Sequence, residues 1–417
     1  MHFNRREFLI GANAAAVALA TGRAYAALTP QQTASDEAFW EQIRNSYVRD
    51  PKLLNFNNGG CAPAPISVMK EQIDEINYSN LLPVERMWAE LEPKIEGVRK
   101  RLAAMWKADP ECIAITRNAS ESLQIAQFGL DLKPGDEVLL TSQDYPRMIT
   151  TWEQRARREG IVLKQLDYQV PVKDPAALVK MYEQAINWKT KVIHVSQVIF
   201  MTGQIFQIKE ICQLARAHNI TSIVDGAHGF AHVPFDFQEL DCDFYGASLH
   251  KWLSAPIGTG VLYARKDRIE RHWALMASPP SMDKNIRKFE EIGTHPAAMH
   301  NAILQALEFH AAIGDQRKWE RFRYLKQRWA DRLSRIPGAR MTVELAPEHS
   351  GAFGTIGFER VDPGKLSDEL MKSHQIRVTP IGGPGFNGIR VSPNVYTSLA
   401  EVDRFSDAVE ASLKTLA

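Results

Sequence analysis

The sequence predicts an α/β protein: a large, mostly parallel β-sheet with helices on both faces, followed by a smaller C-terminal α+β domain. Three observations carry this prediction. Between residues 66 and 265, short β-prone runs alternate with helical patterns, which is the order of βαβ units. Several of these runs are almost continuously apolar, as strands buried on both faces of a parallel sheet are. After about residue 300, long amphipathic helices and later β-like pieces replace this alternation.

The elements of the large domain follow one another at regular intervals. Strands are predicted at residues 112–116, 137–141, 191–196, 220–224, 243–246 and 260–264. Helices are predicted at residues 66–76, 94–106, 120–128, 149–158, 175–186 and 208–218. Lys133-Pro134-Gly135-Asp136 is a turn that opens one strand.

The C-terminal part has its own pattern. Helices are predicted at residues 301–313 and 318–336, and in the second Leu325, Trp329 and Leu333 recur at helical spacing before Pro337-Gly338 ends it. β-like pieces at 353–358, 376–379 and 388–392 precede a terminal helix from about residue 400. No flexible linker is apparent from the composition, so we expect a segment at 27–65, a large domain at 66–300 and a small domain at 301–417 that pack firmly together.

The N-terminus predicts an export signal. Arg5-Arg6 precede Phe8-Leu9, an alanine-rich apolar stretch covers residues 11–20, and Ala24-Tyr25-Ala26 offers a cleavage site. Paired arginines followed by Phe-Leu resemble a twin-arginine signal, although an ordinary secretory signal also carries basic residues there. We therefore expect residues 1–26 to be a twin-arginine signal peptide, the translocase of that route to be a partner during export, and the periplasm to be the destination, without stable membrane insertion.

Composition excludes several classes of protein. The 417 residues are 45% hydrophobic and 24% charged, as in ordinary globular proteins. With 50 basic and 49 acidic residues, the net charge of +1 attracts neither nucleic acid nor anionic lipid. The four cysteines lack a metal-binding spacing, and the sequence leaves open whether any two form a bridge. We expect no nucleic-acid partner and no metal site.

Polar residues cluster where the predicted strands end, and ligands of open α/β sheets bind at that edge. Each residue alone has an ordinary explanation, such as a helix cap at Asn118 or Ser120, or core packing for Tyr145. Together they form a set of polar and aromatic residues after five strands: Asn118, Ser120, Tyr145, Gln197, Asp225, His228, Ser248, His250 and Lys251.

This set matches the requirements of one cofactor. Lys251 can form a Schiff base with a carbonyl, and the strand-end carboxylate of Asp225 can pair with a protonated ring nitrogen. The helix N-terminus near Ser120 can hold a phosphate, and Tyr145 can cover a ring face. Burial and nearby positive charge would keep Lys251 neutral and nucleophilic. These are the requirements of pyridoxal 5′-phosphate.

Asp225-Gly-Ala-His228 followed by Ser248-Leu-His-Lys251-Trp resembles the signature of the class V aminotransferases, which are fold-type I pyridoxal-phosphate enzymes. The resemblance extends from Asn57-Asn58-Gly59-Gly60 to Gly388-Ile-Arg390-Val-Ser392-Pro393. It implies a fold-type I transferase and a homodimer with shared active sites. Tyr145, where many relatives carry a stacking histidine, resembles the isopenicillin N epimerase-like branch.

The resemblance assigns a role to each candidate residue. Lys251 would be the Schiff-base lysine and Asp225 the partner of the ring nitrogen, with His228 near the ring hydroxyl. Arg390 would bind the substrate α-carboxylate, and Asn58 would line the substrate side. Thr294 would reach the phosphate of the neighbouring subunit's cofactor. The remaining cofactor contacts would come from Ser248, His250, Ser120, the Ala119 backbone, Tyr145 and Gln197.

The reaction stays open at this point. Transamination, epimerisation and β-elimination, including C–S cleavage, all begin with bond breaking at Cα, and a non-catalytic cofactor-binding scaffold is the alternative of a different class. No cysteine follows Cys242, which disfavours the desulfurases of this family. An exported member of the family resembles the periplasmic enzyme of pyoverdine maturation, so a tailoring step on an amino-acid unit of a peptide-like metabolite or siderophore is the leading hypothesis.

Overall fold

The computed structural model describes residues 28–416, and the predicted signal peptide lies outside this range. The strands in chain order are β1 (Leu54–Asn55), β2 (Ile113–Thr116), β3 (Glu137–Thr141), β4 (Val162–Leu166), β5 (Thr190–Ser196), β6 (Thr221–Asp225), β7 (Phe244–Ser248), β8 (Gly260–Ala264), β9 (Ala339–Met341), β10 (Gly354–Phe358), β11 (Ile376–Arg377), β12 (Thr379–Gly383) and β13 (Phe386–Val391). The α-helices in chain order are α1 (Pro30–Ala34), α2 (Glu37–Arg44), α3 (Ile66–Asn80), α4 (Ile95–Trp106), α5 (Ala119–Phe128), α6 (Pro146–Glu159), α7 (Ala176–Ala185), α8 (Ile208–Ala217), α9 (Phe237–Leu240), α10 (Lys266–Ile269), α11 (Ala297–Asn301), α12 (Ile303–Ile313), α13 (Asp315–Leu333), α14 (Pro363–His374) and α15 (Leu399–Leu416).

A seven-stranded sheet forms the centre of the large domain. Its strand order is β2-β8-β7-β6-β5-β3-β4. The strands from β7 through β6, β5 and β3 to β4 pair in parallel, and β8 is antiparallel to both of its neighbours. The predicted large, mostly parallel sheet is confirmed.

Both faces of this sheet are buried, as the apolar strand runs predicted. Val224 packs in one hydrophobic core and Ile223 in the other, because successive side chains of a strand point to opposite faces. The strand that the sequence did not predict is β4, at the edge of the sheet. Its residues are only partly buried or exposed, and Lys164 and Gln165 interrupt the apolar pattern.

The small domain contains a four-stranded antiparallel sheet of order β12-β13-β10-β9, which confirms the predicted α+β architecture. Leu325, Trp329 and Leu333 of α13 pack in its core, as their spacing predicted. Parts of the segment before residue 66 join this domain, since α1 packs on α13 and β1 pairs in parallel with β11. The helix α12 packs against α3 and α4 of the large domain.

Five strands of the large sheet end at the same edge, beneath the small domain. The ends of β2, β3, β5, β6 and β7 face this edge, and β12 and β13 approach it from the other side. Within residues 28–416, no helix has the length and apolar composition needed to cross a bilayer.

Candidate active site

A cavity of about 390 Å³ lies at this edge, between the two domains. Its volume falls in the range of pockets that hold small molecules and cofactors. Its polar lining comes from strand ends and from β13, and aliphatic and aromatic side chains complete the wall. Among the lining residues are Asn118, Ala119, Ser120, Tyr145, Ser196, Phe200, Asp225, His228, Ser248, His250, Lys251, Thr379, Ile381 and Arg390.

Lys251 lies three residues beyond β7 and points into the cavity. Its Nζ lies 3.1 Å from Nε2 of His228. Burial lowers the pKa of Lys251 to about 8, Asp225 opposes this shift, and the charge of Arg390 adds to it. A substantial fraction of the amine is therefore neutral near physiological pH, as a nucleophilic lysine requires.

Asp225 ends β6 inside the same cavity. Its Oδ1 accepts a hydrogen bond from the backbone N–H of Ala227 at 2.9 Å, and its side chain makes no ion pair within the described residues. Burial raises the pKa of Asp225, while the Ala227 hydrogen bond and the charge of Lys251 oppose that rise. A buried carboxylate that forms no ion pair among the described residues suits a ligand that brings a positively charged N–H group.

The N-terminus of α5 forms another part of the cavity wall. The Oδ1 of Asn118 caps the helix by accepting from the Glu121 N–H at 2.9 Å. The Ala119 N–H donates to Oγ of Ser248 at 2.9 Å, and Ser120 lies in the cavity wall. These groups, together with half-buried His250, form a donor-rich end that suits a phosphate.

Arg390 reaches the cavity from β13, and only 5% of its surface is exposed to solvent. Its Nη1 donates to the Phe200 carbonyl at 2.9 Å and its Nη2 to Oδ1 of Asn57 at 3.1 Å. Its Nε has no hydrogen-bond partner and no carboxylate pairs with it in the described part of the chain. Burial lowers the pKa of Arg390 to about 10.

Tyr145 lies where the sequence predicted it, in the cavity wall at the start of α6. Its ring is half-buried and meets Phe200 edge to face, with 5.4 Å between the ring centroids. The two rings form an aromatic side of the cavity near Arg390. A planar ligand can pack against this wall.

Three predicted residues are not brought into the cavity. Asn58 is fully buried and binds the Ser392 carbonyl and the Tyr396 hydroxyl, so it holds the chain turn in place. The Oε1 of Gln197 accepts from the Tyr245 hydroxyl at 2.8 Å, on the opposite side of the strand from Ser196. Thr294 is exposed, and its predicted contact with a neighbouring subunit stays a prediction.

Several contributors were not predicted from the sequence. Asn57, rather than its neighbour Asn58, contacts Arg390. Ser196, rather than Gln197, lines the cavity, because side chains alternate along a strand. That alternation was available in the sequence and would have pointed to Ser196. The contribution of Phe200 through its backbone carbonyl leaves no sequence signal.

The residues present fit pyridoxal 5′-phosphate. One part of the cavity offers helix N–H and hydroxyl donors for a phosphate, and Asp225, which forms no ion pair within residues 28–416, offers a carboxylate for the ring nitrogen. Lys251 supplies the amine, and the unpartnered Nε of Arg390 marks a place for a carboxylate beyond it.

Comparison with curated proteins gives relatives that match two thirds or more of their own length. The chain is 29% identical over 394 residues to isopenicillin N epimerase of Streptomyces clavuligerus, covering 90% of this chain and 98% of the relative. It is 31% identical over 288 residues to a probable cysteine desulfurase of Halalkalibacterium halodurans, covering 66% of this chain and 69% of the relative.

Solved structures with the same fold include pyridoxal-phosphate enzymes. The apo cysteine desulfurase of Thermococcus onnurineus matches with a TM-score of 0.78 at 22% identity, covering 90% of this chain and 98% of that chain. A cystine C–S lyase mutant with glycine covalently linked to pyridoxal phosphate matches with a TM-score of 0.77 at 21% identity, covering 86% and 97%.

A family model settles the classification. The aminotransferase class V model matches residues 54–405, which extend across both domains and include every residue of the cavity. The predicted cofactor and fold type are confirmed together with the family. This chain belongs to the aminotransferase class V family of pyridoxal-phosphate-dependent enzymes.

Proposed function

We propose that this protein is an exported pyridoxal-phosphate enzyme that acts at Cα of an amino-acid unit with a free α-carboxylate. One observation carries the proposal: Arg390 and Lys251 face the same cavity, and within residues 28–416 neither forms an ion pair with a carboxylate. A guanidinium binds a carboxylate through paired hydrogen bonds, so the α-carboxylate is the natural partner of Arg390. This would place Cα of the substrate on the Lys251 side.

Each residue of the cavity would have its own role in such a reaction. Bound pyridoxal phosphate supplies the electron sink for the pair left at Cα. Asp225 would hold a proton at the ring nitrogen, and the α5 N-terminus with Ser248 would bind the phosphate. Lys251, with its pKa lowered to about 8, would accept and return the Cα proton. Tyr145 and Phe200 would exclude water from one side.

The leading reaction is aminotransferase-like, and epimerisation has specific support. Two isopenicillin N epimerases match 89–90% of this chain at 29% identity. A hercynylcysteine sulfoxide lyase of Schizosaccharomyces pombe matches 69% of it at 22% identity, which keeps C–S elimination as a second alternative.

An amino-acid screen distinguishes these reactions. The purified mature protein, loaded with the cofactor, is incubated with free and peptide-linked amino acids in D₂O. Keto-acid formation supports transamination, inversion at Cα with deuterium incorporation supports epimerisation, and ammonia with an unsaturated or keto product supports elimination. The absence of exchange at Cα of every substrate, in a protein whose Lys251 still attaches the cofactor, would favour the scaffold alternative.

Export and pathway are further parts of the proposal. The Arg5-Arg6 pair, the apolar stretch and the Ala24-Tyr25-Ala26 site support passage through the twin-arginine translocase to the periplasm. An enzyme of this family in that compartment suits a tailoring step on a peptide-like metabolite or siderophore. Arg5→Lys with Arg6→Lys should leave the protein in the cytoplasm; undiminished periplasmic yield would contradict the route.

We also propose that the active enzyme is a homodimer with shared sites. Leu81, Val84 and Trp88, which follow the C-terminus of α3, are exposed apolar side chains in the single chain, and Ile257 is exposed as well. Thr294 is predicted to reach the neighbouring subunit's cofactor phosphate. Sedimentation analysis should give twice the chain mass, and Thr294→Ala should weaken cofactor retention without dissociating the dimer.

A further inference from the structure

The contact between His228 and Lys251 has a direction that its neighbours determine. Trp252 donates its indole N–H to Nδ1 of His228, with 3.3 Å between the nitrogens. An indole N–H can only donate, so Nδ1 of His228 must be the acceptor. The proton of the neutral imidazole therefore lies on Nε2, the nitrogen that lies 3.1 Å from Nζ of Lys251.

This arrangement favours one protonation state of the lysine. A neutral amine has a lone pair and can accept the Nε2–H hydrogen bond, whereas an ammonium group carries only donors. Two donors would face each other if Lys251 were charged. A doubly protonated His228 is disfavoured as well, because burial and the charges of Lys251 and Arg390 keep its pKa well below the usual value.

The indole is held firmly in this orientation. Trp252 is fully buried, and its ring stacks on His232 with 4.4 Å between centroids and on Phe353 at 5.7 Å. Its carbonyl accepts a hydrogen bond from Nζ of Lys318. The backbone of His228 is also held, since the ring of His232 bonds its carbonyl at 2.6 Å.

His232 shows the opposite tautomer for the same kind of reason. The Ala352 N–H donates to Nε2 of His232 at 2.7 Å, so the ring proton lies on Nδ1 and is donated to the His228 carbonyl. A directed series of hydrogen bonds thus extends from Ala352 of the small domain to the backbone of His228.

We propose that Trp252 is a positioning residue: its indole N–H fixes the tautomer of His228, so that the Nε2–H of His228 faces Lys251 and favours the neutral amine. The groups that face Lys251 from the surrounding elements are Asp225, Arg390, Cys61, His228 and His250. Of these, Asp225 favours the charged lysine and Arg390 favours the neutral one, and neither depends on the Trp252 N–H. The inference rests on Lys251 being the cofactor lysine.

The test measures the protonation of Lys251 without catalytic turnover. The mature protein is freed of cofactor, pyridoxal phosphate is added at different pH values, and the adduct is trapped with borohydride and quantified by mass. Trp252→Phe keeps an aromatic ring but removes the N–H. We expect the midpoint of the plot of attachment rate against pH to rise by about one pH unit. At a fixed pH below that midpoint, attachment should be about tenfold slower.

His228→Gln provides the matched background, because a glutamine amide donates an N–H without tautomers. In that background Trp252→Phe should leave the midpoint unchanged. An equal shift in both backgrounds, or no shift in folded Trp252→Phe, would overturn the proposal. Labelling that persists in Lys251→Ala would instead disprove the lysine assignment, so the two failures are distinguishable.

A direct measurement covers the case in which Trp252→Phe does not fold. The nitrogen-15 chemical shifts of the His228 ring in the unsubstituted protein distinguish protonated from unprotonated nitrogens. We expect a protonated Nε2 and an unprotonated Nδ1 at neutral pH. A protonated Nδ1 would contradict the proposal.

Discussion

Arg99 and Arg390 are both buried arginines, one at the base of the large domain and one in the cavity, and their surroundings differ. Arg99 bonds the carboxylate of Glu290 through Nη1 at 2.6 Å and Nη2 at 2.8 Å, and it also bonds Glu96. Burial lowers the pKa of Arg99, but the hydrogen bonds and charges of Glu290 and Glu96 outweigh it, and the net shift is upward. Arg390 has a carbonyl and an amide oxygen instead, and its pKa is lowered to about 10.

This difference indicates that Arg99 is a structural cation and that Arg390 is suited to bind a ligand. The region around Arg99 supplies all the negative charge that its buried guanidinium requires. The cavity supplies neutral oxygen atoms that orient Arg390, and no carboxylate in the described part of the chain pairs with its charge. A carboxylate that enters with the substrate can provide what the fold does not, which is why the second arrangement indicates binding.

The largest effect that tests this comparison is on stability. Arg99→Met removes the buried partner of the half-buried Glu290 carboxylate, and we expect the free energy of unfolding to fall by about 3 kcal/mol, with activity per folded molecule retained. Denaturant unfolding of the cofactor-loaded protein measures it. A loss below about 1 kcal/mol would show that the Glu290 pair contributes little and would remove the contrast with Arg390.

Arg390→Met should show the reverse pattern. It removes a buried charge that no carboxylate in the described residues pairs with, so the free energy of unfolding should stay equal or increase. For substrates with a free carboxylate, kcat/KM should fall about 10- to 150-fold, which corresponds to a loss of roughly 1.5–3 kcal/mol of transition-state stabilisation. The matched control is the substrate amide, which lacks the anion. Wild type should prefer the acid over the amide, and Arg390→Met should not; an unchanged preference would contradict the assignment.

The pH dependence of Lys251 gives a smaller effect. The pKa of Lys251 is lowered to about 8, so the neutral amine and the rate of cofactor attachment increase as the pH rises through that value. The charge of Arg390 is one cause of the lowering. Arg390→Met should therefore raise the midpoint by less than about one unit, whereas Arg390→Lys, which keeps a charge, should not. A downward shift in Arg390→Met would contradict this electrostatic link.

The fold was largely predictable because burial repeats along the chain. The apolar strands β5 and β6 and the stripe of Leu325, Trp329 and Leu333 each leave a periodic pattern in the sequence. The edge strand β4 leaves no such pattern, because an edge strand buries little apolar surface and a polar residue such as Lys164 is tolerated there. Its pairing with β3 depends on a neighbour that is distant in sequence.

The chemistry of the site was predictable from the sequence, but which residue of each segment points into the site was less so. Asp225 is the last residue of β6 and Lys251 lies three residues beyond β7, so their placement follows from where these strands end. Gln197 is one position away from Ser196, which lines the cavity, and Asn58 is one position away from Asn57, which accepts a hydrogen bond from Arg390. A shift of one residue along an extended chain reverses the direction of the side chain, and strand limits from sequence are not accurate to one residue.

The smallest effect comes from an arginine that is paired but exposed. Arg328 bonds Asp403 with 2.6 Å between Nε and Oδ1, a distance equal to that of the Arg99–Glu290 pair. Water can solvate both of its ions, so Arg328→Ala should cost less than about 1 kcal/mol and the loss should shrink further in high salt. A double-mutant cycle with Asp403→Asn isolates the pair energy, and Arg328→Lys is the control that keeps the charge. A coupling near the loss in Arg99→Met would mean that pairing alone, rather than burial, determines how much these arginines contribute.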